Sequence, residues 1–174
     1  MEPRRLVITR NCITCGSNRH GKPDLLLPAC GRRLEFNLSR SGEHAVLAVS
    51  GRAVGVDIEW VRPDVDWQGL GGHAFTSQEM EWLRARPSVT SDFDAARLWT
   101  RKEAVLKLTG SGLSGGLNNT QVLSTESLGE WTLVRQADLE VWVCEPSLHS
   151  GCSVSVAAYS PRRVRLFSMP PPVD

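Results

Sequence analysis

The sequence predicts an α+β fold, because strands and helices are segregated along the chain and do not alternate. Three observations carry this. Residues 34–60 hold three runs of strand character, "LEFNLS", "HAVLAVS" and "AVGVDIEW". Residues 75–110 hold two helix signatures. Beyond Gly110 the alternating, β-branched texture returns in several short segments.

Taken in order, residues 11–33, "NCITCGSNRHGKPDLLLPACGRR", are rich in Gly, Pro and polar residues and read as a loop region. The three runs that follow are separated by "RSGE" and by a Ser-Gly turn, which predicts an antiparallel meander. In "FTSQEMEWLRAR", Thr76 or Ser77 is placed to cap a helix, and Glu79 stands three residues after Thr76, as in a capping box. Pro87 ends that helix. "DFDAARLWTRKEAVLKLTG" is the strongest helix signal, with Ala96, Trp99, Glu103, Leu106 and Lys107 near a 3.6-residue repeat and Gly110 as its stop. "TQVLS", "EWTLVRQ", "LEVWVCEP", "CSVSVAAYS" and "RVRLFSM" alternate like strands, and "MPPPVD" is a frayed tail.

Composition sets outer limits. A chain of 174 residues suits one domain or two small lobes. With 41% hydrophobic residues, 22% charged residues and a formal charge of +1, it has no bias toward nucleic acid or an anionic membrane. No apolar run approaches the roughly 20 residues that span a bilayer. "MEPRRLVITR" lacks the apolar core of a signal peptide. Five cysteines without a framework spacing point to reduced thiols and a cytoplasmic protein.

The chemistry gathers in two places. In "VGVDIEW" a strand would put Asp57 and Glu59 on one face and Val56 and Ile58 on the other. Two carboxylates so close repel each other unless the face is wet or a cation sits there. In "WTRKEAVLK", Glu103 and Lys107 are four apart on one helical face, with Trp99 one turn earlier. Alone, that spacing reads as an ordinary surface ion pair. Together, Asp57, Glu59 and Glu103 offer the hard oxygen ligands that Mg²⁺ takes, and a nearby lysine suits a phosphate oxygen or a leaving group.

"GVDIE" followed by "WTRKEAVLK" resembles the paired signature of the 4′-phosphopantetheinyl transferases, roughly (V/I)-G-(V/I)-D-x-(E/D) and (F/W)-(S/C/T/A)-x-K-E-(A/S)-x-x-K. Upstream, "FNLSRSGEHAVLAV" is similar to the family's F-N-x-S-H-(S/A)-G segment, and "HGKP" to its G-K-P segment. The order resembles the larger, surfactin-synthetase-activating type, with an actinobacterial flavour in "CxxCG…HGKP". The resemblance implies two pseudo-symmetric lobes, each an antiparallel sheet on a helix, over residues 1–63 and 64–174, with the active site between them. It implies Mg²⁺ as cofactor, held by Asp57, Glu59 and Glu103. It implies coenzyme A as co-substrate and an acyl-, peptidyl- or polyketide carrier protein as partner. Glu103 would take the proton of the carrier's serine and Lys107 would stabilise the departing 3′,5′-ADP. Lys22, Pro23, Ser39, Arg40, Asp57, Lys102 and Lys107 would contact the coenzyme. A monomer or dimer is expected.

The chain departs from the family pattern in two ways. Arg40 stands where the family usually has histidine; arginine binds phosphate bidentately and stays charged. Only 20 residues precede Gly21, so the first lobe is expected to be shortened, with Arg4, Arg5, Arg10 and Arg19 as substitute basic contacts or as solvated residues. Two other readings stand beside the enzyme. One is a non-catalytic coenzyme A or carrier-binding protein. The other is a zinc-stabilised module on Cys12, Cys15, His20 and Cys30, set against a tight turn with unligated thiols. Arg97 and Arg101 form a basic helix face that would meet an acidic carrier or simply be solvated.

Overall fold

The computed structural model describes residues 7–12, 15–19, 21–26, 34–112, 116–123, 128–136, 138–148 and 151–168. Among the described residues the α+β chain has three antiparallel sheets and three α-helices. The stretch read as a loop holds a strand instead, paired with one that ends at its first residue. β1 (Val7–Asn11) pairs with β2 (Lys22–Leu26), from Val7 opposite Leu26 to Asn11 opposite Lys22. The polar, Gly-containing connection between the strands, and Pro23 within β2, obscured the β-branched run "VIT" and its apolar partner "LL".

β3 (Glu35–Ser41) and β4 (His44–Ser50) form a second hairpin. Its turn needs Gly42, whose φ of 58° is left-handed. β5 (Gly55–Trp60) does not continue this hairpin as the expected meander. It pairs with β8 (Cys152–Ala158), and the four-stranded sheet runs β5-β8-β7-β6, with β6 at Trp131–Gln136 and β7 at Leu139–Cys144. β3 instead meets β5 through side chains: Asn37 Oδ1 accepts the Val56 N–H at 3.2 Å. The described residues of "TQVLS" contribute a bridge between Gln121 and Arg135. "RVRLFSM" runs extended without pairing as far as it is described, following side-chain anchors in which Trp131 Nε1 donates to Arg162 O and Arg162 to Ser50.

The helices follow their caps. α1 (Trp67–Ala74) was not legible, because three glycines dilute its pattern; Asp66 caps it by accepting from Gly69 N at 2.8 Å. α2 (Ser77–Arg84) begins with the expected capping box of Thr76 and Glu79. α3 (Ser88–Thr109) starts after Pro87 and ends at Gly110, with φ 77°. No helix among the described residues is long and apolar enough to cross a membrane.

α3 lies across one face of the large sheet, where Ala104, Val105 and Leu108 share a core with Val134, Val141, Val143 and Ala157. Val56, Ile58 and Val154 form a second cluster on the other face, with Val46 and Ala48 of β4 against them. Gly55 explains how closely α3 approaches β5. A Cβ there would collide with the Ala104 carbonyl and lie 2.6 Å from Leu108 N. Backbone cannot yield as a side-chain tip does, so Gly55→Ala is expected to destabilise the chain by about 3 kcal/mol or more, the upper end of overpacking costs. Thermal denaturation checks this; a variant melting with the parent would show that α3 is free to shift.

Candidate active site

The strand geometry of β5 places Gly55, Asp57 and Glu59 on one face, the face against α3. β3 supplies a matching row at every second residue. Asn37 holds the Val56 N–H, Ser39 Oγ donates to Asp57 Oδ1 at 2.6 Å, and Ser41 Oγ donates to Glu59 Oε2 at 2.6 Å while accepting from Trp60 N at 3.0 Å. α3 brings the other two groups, Glu103 and Lys107, one turn apart. Lys107 Nζ donates to Asp57 Oδ1 at 2.6 Å and to Ser39 Oγ at 2.9 Å. Trp99 lies one turn before Glu103 and tilts against Trp67.

This cluster carries more negative charge than it neutralises. If every group is ionised, three carboxylates against one ammonium leave a net charge of −2. Burial raises the Asp57 carboxyl above its usual range, with Lys107 and Ser39 offsetting part of the effect. Burial likewise raises Glu59, opposed by the Ser41 hydrogen bond and reinforced by Asp57. Glu103 is pushed up to about 6, first by burial and then by the charges of Asp57 and Glu59, with Lys107 pulling the other way. Asp57 is 3% exposed, yet its Oδ2 has no hydrogen-bond partner. A buried carboxylate oxygen left bare beside two further carboxylates is the donor set a hard divalent cation takes, so the residues fit Mg²⁺ by chemistry and by charge. As the side chains stand, no three His, Cys, Asp or Glu among the described residues are gathered closely enough to hold an ion. The Lys107 ammonium takes Asp57 Oδ1 instead.

Beside the cluster opens a groove of about 720 Å³ with Arg10, Lys22, Pro23, Phe36, Leu38 and Lys107 in its walls. Lys22 Nζ reaches Leu108 O at 3.4 Å, at the C-terminal end of α3. Arg40 is exposed and sits on the β3 face shared with Phe36 and Leu38, turned away from Asp57.

Two sequence expectations are corrected. Lys102 does not face the groove. It is completely buried, paired with Glu79 Oε2 at 2.6 Å, and donates to Leu117 O and Thr120 O. Neighbouring helix residues point about 100° apart, and here Lys102 turns into the interior toward Glu79. Arg97 and Arg101 do not form an open basic face either, because both bind Glu145, at 2.7 and 2.9 Å, and Arg101 is buried. Burial works to raise Glu145, but the hydrogen bonds and charges of the two arginines outweigh it and leave its carboxyl below the usual range. Of the possible zinc ligands, Cys12 and Cys15 lie in a turn held by Gly16 N donating to Cys12 O; His20 and Cys30 fall outside the described residues.

Ser41 and Asn37 were not singled out from the sequence, although N-x-S-x-S on β3 is the complement of β5. Ser41→Ala is expected to free Glu59 and weaken divalent-ion binding about tenfold or more, since a hydrogen bond to a charged group contributes about 1.5–3 kcal/mol. Binding of Mn²⁺ followed by calorimetry checks this; unchanged affinity would show that Glu59 needs no holder.

Residues 53–151 match the family model of the 4′-phosphopantetheinyl transferase superfamily. The chain belongs to this superfamily. It is similar to the 4′-phosphopantetheinyl transferase HetI of Nostoc sp., 35% identical over 121 residues, which are 66% of this chain and 51% of the relative. It is 38% identical over 98 residues to the 4′-phosphopantetheinyl transferase psf-1 of Bacillus pumilus, covering 56% of this chain and 41% of the relative. It is 33% identical over 132 residues to the 4′-phosphopantetheinyl transferase AcpT of Salmonella typhi, covering 73% and 64%. These alignments thus take in between 41% and 64% of the relatives' length.

Proposed function

We propose that this chain transfers the 4′-phosphopantetheine arm of coenzyme A to a serine of an apo acyl- or peptidyl-carrier protein, with Mg²⁺ as cofactor. The observation that carries the reading is the under-neutralised cluster of Asp57, Glu59 and Glu103 beside Lys107, opening on a basic groove. Membership of the superfamily supports the transferase class, and the ordered G-K-P and F-N-x-S segments favour its larger type.

Asp57, Glu59 and Glu103 would hold Mg²⁺, which when bound supplies charge neutralisation at the pyrophosphate. The chain's own groups do the rest. Phosphoryl-type transfer needs positioning and charge more than covalent help from the protein. Lys22 and Arg10 line the groove for the anionic nucleotide half. Glu103 would take the serine proton as the serine oxygen bonds to the β-phosphorus. The bond from that phosphorus to the bridging oxygen breaks, and 3′,5′-ADP leaves with the electron pair. Lys107, one turn from Glu103 on α3, would meet the charge that develops on the leaving phosphate.

The test is intact-mass spectrometry of an apo carrier protein incubated with the chain, coenzyme A and Mg²⁺, beside a chelated control. A gain of one phosphopantetheine that disappears with chelator supports the reading. No gain across several carriers, with coenzyme A still bound, would favour a non-catalytic binding protein.

A further inference from the structure

We infer that Lys107 is the resident counter-ion of the carboxylate cluster and makes divalent-cation binding conditional on the coenzyme. The inference rests on the reading that Asp57, Glu59 and Glu103 hold a divalent cation beside a pyrophosphate.

Asp57 is unevenly satisfied. Its Oδ1 receives the Lys107 ammonium at 2.6 Å and the Ser39 hydroxyl at 2.6 Å, whereas its Oδ2 receives nothing. The Asp57 side chain is 5% exposed and that of Lys107 28% exposed, so their attraction is shielded from water, though the lysine keeps a path outward. That path leads into the groove, because Lys107 also lines the wall that carries Arg10 and Lys22. The lysine therefore stands at the junction of two compartments, one rich in carboxylate and one rich in cationic side chains.

A bare divalent ion approaching Asp57 must work against an ammonium already on the carboxylate, at a separation where like charges repel strongly. An ion arriving with a pyrophosphate meets a different situation. The phosphate oxygens give the ammonium a new partner, and the flexible four-carbon stem of lysine allows the tip to leave Asp57 for them. Occupancy of the groove then releases Asp57, and the cation completes the cluster. Because coupling is reciprocal, the cation tightens the coenzyme by the factor with which the coenzyme tightens the cation. Part of that factor comes from direct cation–phosphate contact, and the remainder is assigned to Lys107.

The experiment measures Mn²⁺ affinity by electron paramagnetic resonance of the free ion, with and without saturating coenzyme A. It compares the parent chain with Lys107→Met and Lys107→Gln, each checked for an intact thermal transition. In the parent, coenzyme A should tighten Mn²⁺ by about 10- to 100-fold, within the usual span of coupling between linked sites. Without coenzyme, both variants should bind Mn²⁺ about tenfold or more tightly than the parent. Their gain from coenzyme A should shrink by that same factor. The inference is overturned if the neutral variants bind Mn²⁺ no better than the parent in the absence of coenzyme, or if the gain is undiminished. If the parent binds no Mn²⁺ even with coenzyme A, the cation site itself falls and this inference falls with it. A parent that binds Mn²⁺ equally well with and without coenzyme leaves the site standing and removes only the coupling.

Discussion

Glu103→Gln is expected to lower transfer by about 10²- to 10⁴-fold, the usual worth of a general base, and at the same time to stabilise the metal-free chain. The second half follows from the sign of the shift. The Glu103 carboxyl lies at about 6 in the folded chain against an ordinary 4.5, through burial and the neighbouring Asp57 and Glu59 charges. A carboxyl raised on folding contributes stability that is fully present below its unfolded value and is lost as pH rises through its folded value. The window is therefore from about 4.5 to about 6. Above it, the ionised group costs the fold on the order of 1–2 kcal/mol, which a neutral amide avoids. In chelator at pH 7.5, Glu103→Gln should melt a few degrees above the parent, and the difference should narrow as the pH is taken to 5 and close below about 4.5. A variant melting below the parent at pH 7.5 would contradict the charge excess. A variant with undiminished transfer would remove Glu103 from the chemistry.

The second large effect concerns stability. Glu79→Ala is expected to cost about 3–5 kcal/mol, the price of leaving a buried charge without its partner. Glu79 is completely buried and holds three things at once: the Thr76 N–H of its capping box, the Val122 N–H, and the Lys102 ammonium. Burial already lowers Lys102, with Glu79 countering it, so removal of the glutamate leaves an ammonium facing only the Leu117 and Thr120 carbonyls. A fall in Tm of about 10 °C or more is expected. Glu79→Leu combined with Lys102→Met removes both charges and should recover much of the loss, because buried pairs replaced together are often close to neutral. That double variant also separates two roles for Lys102. If it folds and transfers at near the parent rate, the lysine is structural. A folded double variant slower by 100-fold or more would return Lys102 to the phosphates.

The sequence told most where the determinants were local. The period of two in "GVDIE" put Asp57 and Glu59 on one face, where the structure has them. The four-residue spacing put Glu103 and Lys107 on one side of α3, and the capping box at Thr76 marked the start of α2. What escaped depended on partners remote in the chain. β5 reads as the third strand of a meander, but its pairing partner β8 lies nearly 100 residues on, beginning at Cys152. Lys102 stands in a family motif, and the motif outweighed the helical wheel, which sets Lys102 with buried Leu98 and Leu106. Gly55 looked like motif punctuation; its reason is the Ala104 backbone pressed against it.

The account turns on the three carboxylates acting together through one cation. The most direct measurement is anomalous diffraction from crystals grown with Mn²⁺ and coenzyme A. The expected result is a single strong peak in contact with Asp57, Glu59 and Glu103, with the Lys107 ammonium moved off Asp57 toward a phosphate. A map with no peak there, and Lys107 still on Asp57 beside a bound coenzyme, would contradict it.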